Sequence, residues 1–145
     1  MDAAQALADL TEISSQVGHV AILDTDGTLL AATAQDPARA ARFVETLTPL
    51  LEEADRLARA RGLPELAQLE VSTLRGSVFM VRQDGRLIAA TTRSDPTVGL
   101  IFYDLKHCLG SIDDPGGPSE GTAENGAGEQ PQAARGRRRK ADTSA

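Results

Sequence analysis

The chain has 145 residues and a formal net charge of −6, with 3% aromatic side chains and no tryptophan. That balance argues against nucleic acid as a default partner, because both a basic footprint and a base-stacking platform are missing. A single cysteine, Cys108, excludes an internal disulfide and any cysteine-based zinc site, and fits a reducing cytoplasm.

No uninterrupted apolar run is long enough for a transmembrane helix. The first ten residues, MDAAQALADL, have neither the basic nor the apolar region of a signal peptide. The apolar pattern covers 1–112, a length that can bury a core without covalent staples.

Asp2 can cap a first helix running to Val17, with Leu7, Leu10, Ile13 and Val17 on one stripe and Gly18 as its stop. His19 then opens the first strand. Val20 to Asp24 is apolar on both faces, as in a strand covered from two sides, and the second strand, Thr28 to Thr33, reads the same way. Asp26-Gly27 between them predicts a type I′ hairpin turn. Asp24 and Asp26 read as turn carboxylates that cap backbone N–H groups.

Asp36-Pro37 starts a second helix that should reach Arg61, with Gly62 as the stop. Its core stripe is Ala40, Phe43, Val44, Leu47, Leu51, Ala54 and Ala58. The opposite face carries Arg42, Glu45, Pro49, Glu52 and Arg56, and Pro49 there is compatible with a bend convex toward solvent. Leu50 and Leu57 widen the stripe, either as ordinary core or as a contact with another chain. Glu52-Arg56 and Asp55-Arg59 have the spacing of exposed i, i+4 ion pairs.

Leu66 to Leu74 alternates cleanly, with Leu69, Val71 and Thr73 one way and Gln68, Glu70 and Ser72 the other, which predicts a strand away from the sheet centre. An edge strand has free hydrogen-bonding groups and invites pairing. The fourth and fifth strands, Ser77 to Gln83 and Arg86 to Thr92, join at Asp84-Gly85. This second hairpin repeats the first: DGTLLAAT and DGRLIAAT differ at only two positions, through duplication or convergence. Each is followed by Asp-Pro, so the last helix is expected to begin at Asp95-Pro96, with Val98, Ile101, Phe102, Leu105, Cys108, Leu109 and Ile112 on its core stripe. Cys108 reads there as a buried structural thiol.

Residues 113–145 change character. Gly, Pro, Ser, Glu and Ala dominate, and Arg135, Arg137, Arg138, Arg139 and Lys140 form a basic run near the end. Such a tail is expected to be disordered, with its basic end available to an anionic partner.

Catalytic constellations are absent. There is no phosphate-binding G-x-x-x-x-G-K-[ST] and no G-x-S-x-G elbow, and His19 and His107 lack metal-ligand spacing. No enzyme active site, metal or cofactor is expected.

Three stretches then carry a resemblance: Leu10-x-x-Ile13-Ser14, the VAILDTDGTLLAAT hairpin and the ending DPTVGLIFYDLKHCL. Together with the helix and strand order they resemble the Roadblock (dynein light chain type) domain family, in its branch of bacterial MglB-like regulators of Ras-like GTPases. The resemblance covers about Ala6 to Ile112; Pro49 and the tail depart from it. It implies an α+β fold of order α-β-β-α-β-β-β-α, an antiparallel five-stranded sheet between one long helix and two others. It implies a homodimer with paired third strands and adjacent second helices, for which Leu50, Leu57, Gln68, Leu69, Glu70 and Val71 are the candidate interface. It further implies binding to a small Ras-like GTPase, with Arg42, Glu45, Glu52, Arg56 and Arg59 as the candidate contact face and no arginine finger assigned. The competing readings are a dimeric scaffold with no effect on GTPase activity and, behind it, a small-molecule sensor.

Overall fold

The computed structural model describes residues 1–113. The expectations for the tail therefore lie outside the described residues.

Helix α1 spans Ala3–Ile13. The Asp2 carboxylate accepts from the Gln5 N–H at 2.8 Å, which satisfies one of the donors a helix start leaves open. The helix stops a turn before the predicted Val17. Strand β1, Val17–Leu23, takes over, because Val17 pairs with Thr92 across the sheet. Sheet pairing of a β-branched residue outweighs its weak helix preference. Gly18 is thus no helix stop: it lies in the strand, where a Cβ would sit 3.1 Å from Thr91 Oγ1.

The remaining elements are β2 (Leu29–Ala32), α2 (Pro37–Ala60), β3 (Gln68–Ser72), β4 (Gly76–Gln83), β5 (Arg86–Arg93) and α3 (Val98–Gly110). The sheet order is β2-β1-β5-β4-β3, and every neighbouring pair is antiparallel. β3 is an edge, as its alternation predicts. β2 is the other edge, contrary to the doubly covered strand expected there: Leu29 and Leu30 are exposed. Its apolar run looked central because a one-dimensional pattern does not say which strand ends the sheet.

The two Asp-Gly hairpins differ. At Asp84-Gly85 both residues have positive φ, 53° and 77°, and Gln83 pairs directly with Arg86, as in a two-residue I′ turn. At Asp26-Gly27 only Gly27 does, at 88°. Gly27 N–H donates to Asp24 O and Asp24 N–H to Thr28 O, giving a longer loop that ends in a glycine bulge. The loop carboxylates cap as predicted: Asp24 accepts from Thr25 N–H and Asp26 from Thr28 N–H. Hydrogen bonding from Thr28 holds the Asp26 carboxyl below the usual carboxylate range. The two tips touch, with the Thr25 hydroxyl donating to the Gly85 carbonyl.

The Asp-Pro sequences diverge too. Asp36 caps α2 by accepting from Ala38 N–H, with Pro37 in the first turn. Asp95 instead turns the chain at φ 57°, and α3 begins later, after Thr97, whose side chain makes no cap hydrogen bond and whose N–H donates to Gln16 Oε1 at 2.8 Å. A residue before proline is steered away from helical ψ, so the long-range contact decides where the helix starts.

α1 and α3 lie antiparallel over one face of the sheet and bury the main core around Val20, Ile22, Phe79, Val81, Ile88 and Ala90. Phe79 meets Phe102 edge to face at 5.1 Å. Cys108 is part of this core; its thiol donates to Ala6 O at 3.5 Å, and burial, with a smaller contribution from the Asp9 charge, pushes its pKa up to about 11. Among the described residues the other face has only α2. There Met80, Leu87 and Ala89 are buried, with Leu23, Leu47, Leu50, Leu51, Leu69 and Val78 packed partly covered around them.

Candidate functional site

Helix α2 is where sequence and packing part company. Of its 24 residues only Ala40 is fully buried. Phe43, Val44, Leu47, Leu51, Ala54 and Ala58 form the predicted stripe and face the sheet, but each is only half-buried. The reason is one of width. A helix is about 10–12 Å across, whereas five strands span roughly 19 Å between the outer two, so one helix cannot roof the face that two helices roof on the other side.

A latch fixes α2 to the sheet. Arg82 of β4 holds Asp55 through two parallel contacts, Nη2 to Oδ2 at 2.8 Å and Nη1 to Oδ1 at 3.1 Å. The same guanidinium reaches Leu66 O at 3.1 Å and Glu65 Oε1 at 3.2 Å, and Leu66 N–H donates to Asp55. The Arg82 hydrogen bonds hold the Asp55 carboxyl below the usual range against the opposing effect of burial. Asp55 is therefore not the partner of Arg59, and Arg56 is tied to Glu53 rather than Glu52. Local i, i+4 spacing suggested both pairs; a bidentate partner from another element is stronger than an exposed helical one.

The predicted residues fall into two groups. Leu50 is half-buried and Leu57 is 54% exposed. On β3, Leu69 and Val71 share the α2 side of the sheet and are half-buried, whereas Gln68 and Glu70 are exposed on the opposite side. Among the described residues no other strand pairs with the outer edge of β3. Arg42, Glu45, Glu52, Arg56 and Arg59 are all exposed. They do not converge on one point. Arg42 rims a groove of about 620 Å³ with His19, Arg39 and Phe43 near the start of α2. Glu52 rims another of about 630 Å³ between α2 and the two hairpin tips, lined also by Val44, Thr48, Asp24 and Asp84. Sequence reading missed both grooves and the Arg82 latch; the lone arginine among Gly76, Val78 and Met80 on one side of β4 was the available signal for the latch.

Among the described residues no cluster of His, Cys, Asp and Glu could hold a metal ion, and no helix is long and apolar enough to cross a membrane.

An antiparallel five-stranded sheet with one helix on one face and two on the other, in the order α-β-β-α-β-β-β-α, defines a small α+β domain whose surface is offered by a helix and a strand edge. The chain belongs to the Roadblock/LC7 domain family, whose sequence profile matches residues 4–93. The match ends with β5, so α3 lies beyond it. Among solved structures the chain is similar to a Roadblock/LC7 domain from Streptomyces avermitilis, with TM-score 0.67, 15% identity, and coverage of 77% of this chain and 94% of that one. It is also similar to MglB of Myxococcus xanthus (TM-score 0.57, 14% identity, covering 73% and 84%). The gliding protein MglB of Thermus thermophilus gives TM-score 0.60 at 14% identity, covering 73% and 82%. No curated protein sequence matches. At these identities the likeness is one of fold.

Proposed function

We propose that the chain is a non-enzymatic, cytoplasmic homodimer that binds a small Ras-like GTPase and modulates its GTP hydrolysis. The observation that carries this reading is the half-covered α2. A helix with one fully buried residue, next to an unpaired strand edge, leaves Leu50, Leu57, Leu69 and Val71 in a position for a second copy to cover. Two adjacent α2 helices then present a shared outer face carrying Arg42, Glu45, Glu52, Arg56 and Arg59. Membership of the Roadblock/LC7 family and the fold shared with MglB support the choice of partner.

The test is a binding and single-turnover hydrolysis assay with purified Ras-like GTPases encoded near this gene, loaded with GDP or a GTP analogue for binding. The dimer should bind at least one nucleotide state and change the hydrolysis rate. Arg56→Glu with Arg59→Glu should weaken the complex and leave dimer mass and melting unchanged, because exposed helical charges contribute little to stability. Binding with an unaltered rate would make the protein a scaffold. No binding in any state would end the GTPase reading.

A further inference from the structure

The two grooves beside α2 differ in charge. The one at the hairpin tips has five carboxylates in its lining against two arginines. The one at the start of α2, of about 620 Å³, is lined by Arg39, Arg42 and His19 and by no carboxylate. That is a local reversal in a chain whose net charge is −6.

The fold builds this groove from two directions. Arg39 and Arg42 are three apart on α2, and Phe43 is four on from Arg39, so all three share one side of the helix and line the groove. Across from them runs the β1–β2 pair, where Thr33 N–H donates to Val20 O at 2.9 Å and His19 stands one residue earlier. The wall between is apolar: Val20 and Ala40 are buried, and Phe43 is half-buried with its ring centroid 6.2 Å from that of His19. The side chains of Arg39, Arg42 and His19 make no hydrogen bond or ion pair with any described residue. Nearby polar groups are engaged elsewhere. The Thr46 hydroxyl donates to Arg42 O, and Thr33 Oγ1 accepts from Val20 N–H. The start of α2 is not the source of the positive charge, because Asp36 already accepts from the N–H groups of Ala38, Arg39 and Ala40.

We propose that this groove binds a small organic phosphate, with the phosphate held by Arg39 and Arg42 and a planar ring set against Phe43 and His19. A guanidinium offers paired N–H donors that match phosphate oxygens, and two of them suit a dianion better than the single charge of a carboxylate. Cations of one sign around a concave apolar wall also raise the local concentration of anions. The volume lies within the range of small-ligand sites, roughly 300–1,000 Å³. Phe43 supplies an aromatic face or edge for a second ring. A nucleoside monophosphate has both parts, whereas inorganic phosphate and a bare nucleoside each have one. The groove is at the other end of α2 from Leu57, and binding there needs no GTPase, so this site and the contact in the preceding section can fail independently. Arg42 also belongs to the candidate GTPase face; the test therefore rests on Arg39, which does not.

AMP, adenosine and inorganic phosphate are titrated separately into the full-length protein by calorimetry at low ionic strength, where surface charge is least screened. AMP should bind about tenfold more tightly than either of the other two, or better. Arg39→Ala, at an exposed position that the fold does not need, should weaken AMP by about tenfold or more. Phe43→Leu, which keeps apolar bulk in the α2 stripe, should bring AMP down toward inorganic phosphate. Arg61→Ala removes an exposed arginine just past the end of α2 and should leave AMP binding as it was. AMP no tighter than adenosine or inorganic phosphate, equal binding by Arg39→Ala, or an equal loss in Arg61→Ala would overturn the proposal.

Discussion

At the scale of single residues, the contact between Arg82 and Asp55 is the one that ties α2 to the sheet by charge. Its two groups are 22% and 19% exposed, so solvent weakens it only in part. Arg82→Met should cost about 1–2 kcal/mol at neutral pH, since it leaves the Asp55 carboxylate with only the Leu66 N–H and takes the side-chain donor from the Leu66 carbonyl. The pH dependence follows from the depressed Asp55 carboxyl. The folded value lies below that of the unfolded chain, so the pair's contribution is complete above about pH 4 and is lost as pH falls through the folded value. Urea midpoints of wild type and Arg82→Met should therefore draw together as pH falls below about 4; a gap unchanged by acid would mean that the charge of Asp55 is irrelevant. The hairpin glycines give a second comparison. Gly27 and Gly85 both have positive φ, but a Cβ at Gly27 meets nothing within 4 Å, while at Gly85 it meets Thr25 Oγ1 at 2.7 Å. Gly27→Ala should cost about 1 kcal/mol of backbone strain. Gly85→Ala should cost clearly more, because it also pushes the hairpin tips apart.

At the scale of elements, Pro49 sits on the exposed side of an α2 that remains one continuous helix. It forgoes a backbone hydrogen bond and crowds the preceding turn. Pro49→Ala should therefore raise the unfolding free energy by about 1 kcal/mol or more, seen as a higher melting temperature. An unchanged or lower value would show that the packing of α2 needs the proline where it stands. The elements were largely legible in the sequence, because Asp-Gly turns, the alternation of β3 and the Asp36-Pro37 start are local signals. What was not legible depends on distance along the chain. Val17 enters β1 because of Thr92, and α3 starts after Thr97 beside Gln16, so neither boundary is written nearby. Asp55 takes a partner 27 residues away, where spacing alone pointed to Arg59. The apolar stripe of α2 was read correctly, yet its half-burial depends on how many helices share a sheet face. The candidate partner face was legible only as exposure: its five residues are on the surface, and nothing in their spacing told which of them would rim a groove.

At the scale of the whole molecule, the uneven roofing of the sheet leads to the strongest expectation. A chain with one well-covered face and one half-covered face, bordered by the free β3 edge, should associate through the latter. Sedimentation at micromolar concentration should give twice the chain mass. Leu57→Glu, which changes an exposed side chain, should return the mass toward that of one chain without unfolding it. A wild-type monomer at those concentrations would remove the dimer from the proposed function. Cutting after Ile112 should shift the melting temperature by less than about 2 °C, since the composition of the tail gives it little to bury.

Cys108 turns the same architecture into a clock. The thiol is 3% exposed at the floor of the groove between α1 and α3, and burial pushes its pKa up to about 11, which leaves little thiolate at neutral pH. Attack by a disulfide reagent should be slow in the closed fold and faster when α1 lifts away, because only the thiolate reacts. As the chain's single cysteine, it makes the rate of colour release a direct count of those openings, free of any other signal. A ligand bound beside α2, on the other face of the sheet, would leave that count running at the same pace.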